Sequence, residues 1–151
     1  MWAKYLFNKK YPELNSVRLI LVIYALGFLY GTKNHLIDIF QDGFFGYTYV
    51  SWPINLYWTM LTFLDPLTVF LFIYRPLKGI TLAVLIMGSD LLVNLSVTFY
   101  FYQQTGIFTD GLLAKQISFG LFVFITSPYV KKKLINFWQG WTRNGSLSSG
   151  N

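Results

Sequence analysis

The sequence predicts an all-α fold: a polytopic membrane protein whose four transmembrane helices form a bundle with both termini in the cytoplasm. Three observations carry this prediction. Four apolar stretches reach the length of about 20 residues that a helix needs to cross a bilayer. Only 12% of the 151 residues are charged, against about 25% in soluble domains, and 54% are hydrophobic. The basic residues flank the apolar stretches, as membrane anchors do.

The first span is expected at residues 17–40. Its first half, from Leu19 to Tyr30, is apolar throughout, whereas its second half contains five polar residues: Thr32, Lys33, Asn34, His35 and Asp38. An apolar run of about 12 residues is too short to cross a bilayer, so the helix must continue through the polar half.

The other three spans are expected at residues 53–74, 79–102 and 112–134, joined by short loops. Pro53 suits the first turn of the second span. Residues 1–16 carry aromatic residues beside lysines and are expected to lie on the membrane interface. Residues 135–151 are expected to form a second interfacial segment that ends in a Gly/Ser-rich, disordered tail from Asn144.

The orientation follows from the basic residues. Lys33 and Lys115 lie toward one side of the membrane, and ten others lie toward the opposite side: Lys4, Lys9, Lys10, Arg18, Arg75, Lys78, Lys131, Lys132, Lys133 and Arg143. Cytoplasmic loops carry such an excess, so both termini are assigned to the cytoplasm. The formal charge of +6 is therefore attributed to contact with the lipid bilayer, and no nucleic-acid partner is expected.

Composition excludes several kinds of chemistry. The chain has no cysteine, which rules out disulfides and thiolate catalysis. It has one histidine, His35, which argues against an all-protein zinc site. Phosphate-binding loops and the G-x-S-x-G motif are absent from the sequence. We expect neither a metal nor a cofactor.

Asp65 and Asp90 are the strongest candidates for function, because a carboxylate at bilayer depth costs about 2.5–3.5 kcal/mol on insertion scales. Each lies about 11 or 12 residues into its helix, near the membrane midplane at a rise of 1.5 Å per residue. The tight turn between Arg75 and Lys78 makes the two helices antiparallel neighbours. If the two acids face each other, we expect them to share one proton. The sequence does not fix that rotation.

Further polar residues extend this candidate ligand-binding site. Asn94 lies one turn beyond Asp90 and can donate to its carboxylate. Thr62 lies close to the backbone carbonyl that Pro66 leaves without its helical partner. One face of the first span can carry Asn34, His35 and Asp38, and this spacing predicts a polar vestibule above the acids. The candidate ligand-binding residues are therefore Asp65, Asp90, Asn94, Asp38, His35, Asn34 and Thr62.

The aromatic residues divide by depth. Phe63 and Phe70 lie near the acids and are candidates for an aromatic cage around a cationic ligand. Seven others fit interfacial belts: Trp52, Tyr57, Trp58, Tyr100, Tyr102, Trp138 and Trp141.

Each candidate also has a structural explanation. The two aspartates can be held by hydrogen bonds to backbone or hydroxyl groups without any further role. His35 and Asp38 can be the polar end of a helix at the interface, and Lys33 and Lys115 can extend to the headgroups. Gly27 and Gly31 form a G-x-x-x-G motif, which permits close helix packing.

The pattern of short motifs resembles the EXPERA family of four-helix membrane proteins, which includes the sigma-2 receptor and the sterol isomerase called emopamil-binding protein. The resemblance covers about residues 17–134. It rests on four motifs: His35 and Asp38 in "NHLID", Pro66–Leu67 in the second span, Ser89–Asp90 in the third span, and Pro128 late in the fourth.

The resemblance implies a sterol or lipophilic amine in a pocket between the helices, an acid that pairs with the amine, and a homodimer. The chain departs from the family at one position. Members carry a glutamate in helix two, a turn or two before the Pro-Leu, where this chain has Tyr57 and Met60. Its own acid is Asp65, directly before the proline.

Three functions remain open at this stage. The first is an intramembrane acid-lined pocket for a hydrophobic, sterol-like or cationic amine ligand; if the protein is an enzyme, a protonated acid would deliver a proton as in a sterol isomerase. The second is a subunit of a small oligomeric proton- or cation-coupled transporter or channel. The third is an assembly factor, for which neutralising both acids would be harmless.

Overall fold

The computed structural model describes residues 6, 8, 10–106 and 111–148. A short 3-10 helix, Pro12–Leu14, precedes four long helices: α1 (Asn15–Asp42), α2 (Trp52–Tyr74), α3 (Pro76–Thr105) and α4 (Gly111–Ser148). The described residues contain no strand. All four helices are long and apolar enough to cross a membrane. The all-α, four-helix prediction is confirmed, and the chain is consistent with a multi-pass membrane protein.

The helices extend beyond the predicted spans. α4 continues as one helix to Ser148, where the sequence predicted a separate interfacial segment after residue 134 and a disordered tail from Asn144. The first part of this extension packs against the N-terminal segment, because Leu134 is fully buried and the Phe137 ring lies edge-on against Tyr11 at 5.2 Å. Residues 1–5 and 149–151, on which parts of those two predictions fall, lie outside the described residues.

Proline and glycine mark the helix ends. Pro53 occupies the first turn of α2, and Pro76 begins α3, where a missing N–H costs no helical hydrogen bond. Gly106 ends α3 with φ +69°, the left-handed conformation in which glycine has no steric penalty. Gly43 ends α1 with φ +91°.

The helices form an antiparallel bundle in chain order. α1 packs most extensively against α2, α3 packs against both α2 and α4, and α4 closes the ring against α1. One end of the bundle therefore holds the start of α1 and the turn between α2 and α3, and we call it the terminal end. The other end holds the α1–α2 and α3–α4 connections, and we call it the loop end.

The half of the bundle toward the terminal end is densely packed around Tyr24. This ring is fully buried and lies 5.7 Å from Phe72 and 5.8 Å from Phe122. Its hydroxyl donates to the Val123 carbonyl at 3.1 Å and lies 2.6 Å from Thr126 Oγ1. α1 and α4 are joined here, whereas toward the loop end they border a cavity.

Large apolar side chains are exposed on the outer surface of all four helices. Leu26, Phe40, Leu92 and Ile125, from three different helices, are between 63% and 84% exposed. A water-soluble protein rarely presents so continuous an apolar surface, whereas lipid tails accept it. This exposure supports the membrane assignment independently of helix length.

The α1–α2 connection folds over the loop end and is fastened to α2. Asn55 Nδ2 donates to the Phe45 carbonyl at 2.9 Å, and Thr59 Oγ1 donates to the Phe44 carbonyl at 3.1 Å. The Tyr47 ring lies edge-on against Trp58 at 5.0 Å. The connection therefore forms part of the cavity wall.

Candidate ligand-binding site

A cavity of about 640 Å³ lies inside the loop-end half of the bundle and is lined by all four helices and the α1–α2 connection. Its volume is within the range of small-molecule sites. Six of the seven residues that the sequence nominated line it: Asn34, His35, Asp38, Asp65, Asp90 and Asn94. The vestibule and the two mid-helix acids are thus parts of one space.

Asp65 reaches the cavity through a gap that a glycine provides. Its side chain projects from α2 toward Gly31 of α1, where a Cβ atom would lie 2.6 Å from Asp65 Oδ2. The residue is only 5% exposed, yet its carboxylate makes no hydrogen bond within the described part of the chain. A buried carboxylate without a donor is costly, so this group is the unsatisfied element of the site.

Asp90 is the opposite case, because two amides hold it. Asn94 Nδ2 donates to its Oδ1 at 2.8 Å, as the i, i+4 spacing predicted, and Gln116 Nε2 of α4 donates to its Oδ2. Asn94 also donates to Gln116 Oε1 at 3.2 Å, which closes a ring of three side chains. Among the described residues, the two carboxylates are not bonded to each other, so the shared proton receives no support from this geometry.

The vestibule is organised by a tyrosine that the sequence did not nominate. Tyr47 of the connection donates its hydroxyl proton to Asp38 Oδ2 at 2.8 Å, and the hydroxyl oxygen of Tyr47 lies 3.1 Å from His35 Nδ1. Burial raises the pKa of Tyr47, and the hydrogen bond to Asp38 raises it further, so this phenol keeps its proton. Within the described segments, no ion pair joins Asp38 to Lys115, the lysine of α4 that also lines the cavity.

An aromatic wall lines the loop end of the cavity. It consists of Tyr47, Tyr49, Trp58 and Phe101, with Tyr49 lying 6.3 Å from Trp58 and 6.1 Å from Phe101. The sequence predicts Trp58 in an interfacial belt, but the residue is only 7% exposed because the connection covers it. Exposed fractions of 53% and 52% place Phe63 and Phe70 on the outer surface, so they do not form the expected cage.

Thr62 is the nominated residue that does not line the cavity. Its side chain is buried between helices, and its hydroxyl has no hydrogen-bond partner among the described residues. Tyr57, another residue assigned to a belt, turns inward and places its hydroxyl 2.7 Å from Ser89 Oγ of α3. Both side chains lie between α2 and its neighbours.

The G-x-x-x-G motif of α1 admits two different groups. Gly31 admits the Asp65 carboxylate, and Gly27 admits the Phe119 ring of α4, whose nearest atom would lie 2.2 Å from an added Cβ. The motif therefore shapes the cavity wall from both sides of α1. This is a more specific role than the general close packing that the sequence predicted.

Two important residues escaped the sequence analysis for different reasons. Gln116 is a polar residue within an apolar span, a signal that could have drawn attention to it. Tyr47 lies in the α1–α2 connection. The side chains of Asn55 and Thr59 hold that connection in place through hydrogen bonds to its backbone carbonyls, and no local pattern in the sequence indicates these bonds. Within the described residues, no group of three or more His, Asp or Glu side chains can hold a metal ion.

The fold and the cavity define a class: a protein of four helices long and apolar enough to cross a membrane, with an internal, acid-lined, partly aromatic cavity. No family model, curated protein or solved structure matches the chain.

Proposed function

We propose that this protein is a multi-pass integral membrane protein that binds a hydrophobic amine in its cavity, with Asp65 as the counter-charge. The observation that carries the proposal is the state of Asp65: a buried carboxylate that lines the cavity and has no donor among the described residues. An ammonium group would supply both the missing hydrogen bond and the missing charge.

The two acids have different roles in this proposal. Asp90 already accepts hydrogen bonds from Asn94 and Gln116, so it has less capacity for a further donor. Asp65 has all of its capacity available to a ligand. Asp90 would then shape the cavity wall and contribute negative potential without direct pairing.

The rest of the wall favours an apolar ligand body. Phe28, Phe119 and Ile86 line the cavity beside the acids, and the aromatic wall lines its loop end. A small hydrated cation would gain little from these surfaces, whereas a lipophilic amine would bury its apolar part there. The EXPERA resemblance points to the same class of ligand, of sterol size, and to a homodimer.

A binding experiment with a matched pair of probes tests the proposal. Octadecylamine and octadecanol, which differ only in the charged group, are titrated into the full chain in nanodiscs. Asp65→Asn is expected to weaken octadecylamine binding about 30-fold or more, because breaking a buried charge pair costs at least about 2 kcal/mol. Octadecanol binding should be unchanged.

Asp42→Asn is the matched control. Asp42 is an acid on α1 that is exposed and does not line the cavity, so its substitution should leave both affinities unaltered. Equal loss in the Asp42 and Asp65 variants would indicate a general electrostatic effect on amine partitioning. Unchanged octadecylamine affinity in Asp65→Asn would reject the proposal.

The alternative is an oligomeric proton- or cation-coupled transporter subunit, which the same polar cavity residues would serve. It predicts ion flux into proteoliposomes that Asp65→Asn removes. Flux of that kind without selective amine binding would favour transport over the binding proposal. Four spans require a dimer or larger assembly for such a pathway.

A further inference from the structure

Three side chains in the vestibule form a chain of hydrogen bonds with a defined direction. A tyrosine hydroxyl has one proton, and Tyr47 donates that proton to Asp38 Oδ2. Its contact with His35 Nδ1, at 3.1 Å, must therefore use the proton of the histidine. The nitrogen Nδ1 is thus the protonated one, and Tyr47 determines the tautomer.

A second proton on the imidazole would need a nearby acceptor. Asp38 is the acid nearest in sequence, but Tyr47 lies between the two, and His35 forms no ion pair with any described residue. A neutral ring with its proton on Nδ1 leaves Nε2 with a free lone pair. His35 lines the cavity, and Nε2 has no hydrogen-bond partner among the described residues.

We propose that His35 Nε2 is a second anchor in the cavity and accepts a hydrogen bond from a ligand hydroxyl. This inference rests on the proposed function and narrows its ligand class to hydrophobic amino alcohols. The spacing agrees with that class. His35 lies one turn beyond Gly31, about 6 Å along the α1 axis, and Gly31 adjoins the Asp65 carboxylate. The ammonium and hydroxyl groups would then be separated by a few bonds.

The tautomer can be measured without any ligand, because His35 is the only histidine in the chain. When the label is confined to the imidazole ring of histidine, the ¹⁵N spectrum at neutral pH contains only the two ring nitrogens of His35. We expect a protonated Nδ1 and a non-protonated Nε2. Tyr47→Phe should abolish the preference for Nδ1. A doubly protonated ring, or a proton on Nε2 alone, would overturn the inference.

The ligand class is tested with sphingosine and octadecylamine, two amines of equal chain length of which only the first carries hydroxyl groups. Sphingosine should bind the native chain about tenfold more tightly and shift the Nε2 resonance, whereas octadecylamine should not shift it. His35→Leu should remove the tenfold preference, so that sphingosine and octadecylamine bind the variant with similar affinity. His35→Gln, whose amide oxygen is an acceptor, should restore part of the preference.

The outcomes separate this inference from the proposed function. If Asp65→Asn leaves both amines bound as before, the proposed function fails and the amino-alcohol class fails with it. If Asp65→Asn weakens both amines but His35→Leu retains the preference for sphingosine, only the role of His35 is rejected. The ¹⁵N measurement shows whether the vestibule geometry is intact in Asp65→Asn, which keeps the histidine.

Discussion

The Asp65 carboxylate occupies the space where Gly31 lacks a side chain: a Cβ at position 31 would lie 2.6 Å from Asp65 Oδ2. Gly31→Ala should therefore displace the carboxylate, which is the mobile end of its side chain, without moving the helices. We expect a clear loss of octadecylamine affinity, smaller than that of Asp65→Asn, with little change in thermal stability. Parallel binding and thermal-unfolding curves in one detergent measure both effects.

Gly27→Ala is the comparison for that variant. An added Cβ would meet three atoms of the Phe119 ring at 2.2–2.8 Å, and a packed ring cannot move as freely as a carboxylate. Overpacking of this kind costs about 1–3 kcal/mol. Gly27→Ala should therefore lower stability more than Gly31→Ala does. Equal destabilisation by the two variants would contradict a positioning role for Gly31.

The sequence predicted the helices and most of the cavity's polar residues because both depend on local patterns. Apolar length located the four spans, and the i, i+4 spacing identified the bond from Asn94 to Asp90. The rotation of each helix about its own axis could not be predicted from the sequence, because it depends on contacts between helices such as that of Gly31 with Asp65. For this reason Trp58 was assigned to lipid although it faces the cavity, and Phe63 was assigned to the site although it faces outward.

The hydrogen bonds that Asn94 and Gln116 donate to Asp90 should contribute to the stability of the fold. Gln116→Leu removes the donor to Asp90 Oδ2 and leaves a half-buried carboxylate with one partner fewer. Hydrogen bonds to charged groups contribute about 1.5–3 kcal/mol, so a loss of stability in that range is expected. Gln103→Leu, an exposed glutamine on α3, is the control and should have little effect.

The double variant Asp90→Leu/Gln116→Leu tests the cause of that loss. Removing both partners leaves no unsatisfied charge, so the double variant should be more stable than the sum of the single effects predicts. Additive losses, measured by reversible unfolding in detergent, would show that the two side chains do not act as a unit.

A substitution in the packed half of the bundle around Tyr24 should change the stability of the protein without changing the amine affinity of the cavity. Tyr24→Phe removes the hydroxyl that joins α1 to Val123 and Thr126 of α4. Side-chain hydrogen bonds within membrane proteins average about 0.6 kcal/mol, so a small loss of stability is expected with unchanged amine affinity. Reduced affinity at full stability would mean that α1 and α4 transmit changes from this region to the cavity.

Tyr47 makes the stability of the protein sensitive to alkaline pH. Burial and Asp38 hold its pKa above the ordinary value of 10.0, so above that pH the unfolded chain loses this proton while the folded chain keeps it. The stabilisation is complete below about pH 10 and declines as pH rises further. We therefore expect the unfolding midpoints of Tyr47→Phe, measured up to about pH 12, to fall less steeply with pH than those of the native chain. The difference in slope corresponds to at most one proton that the native chain releases on unfolding.

Tyr74→Phe is the control. Tyr74 lies at the exposed end of α2 without a hydrogen bond among the described residues, so this variant should retain the native slope. Identical slopes in the native chain and Tyr47→Phe would mean that burial and Asp38 together do not hold the Tyr47 proton in the folded chain.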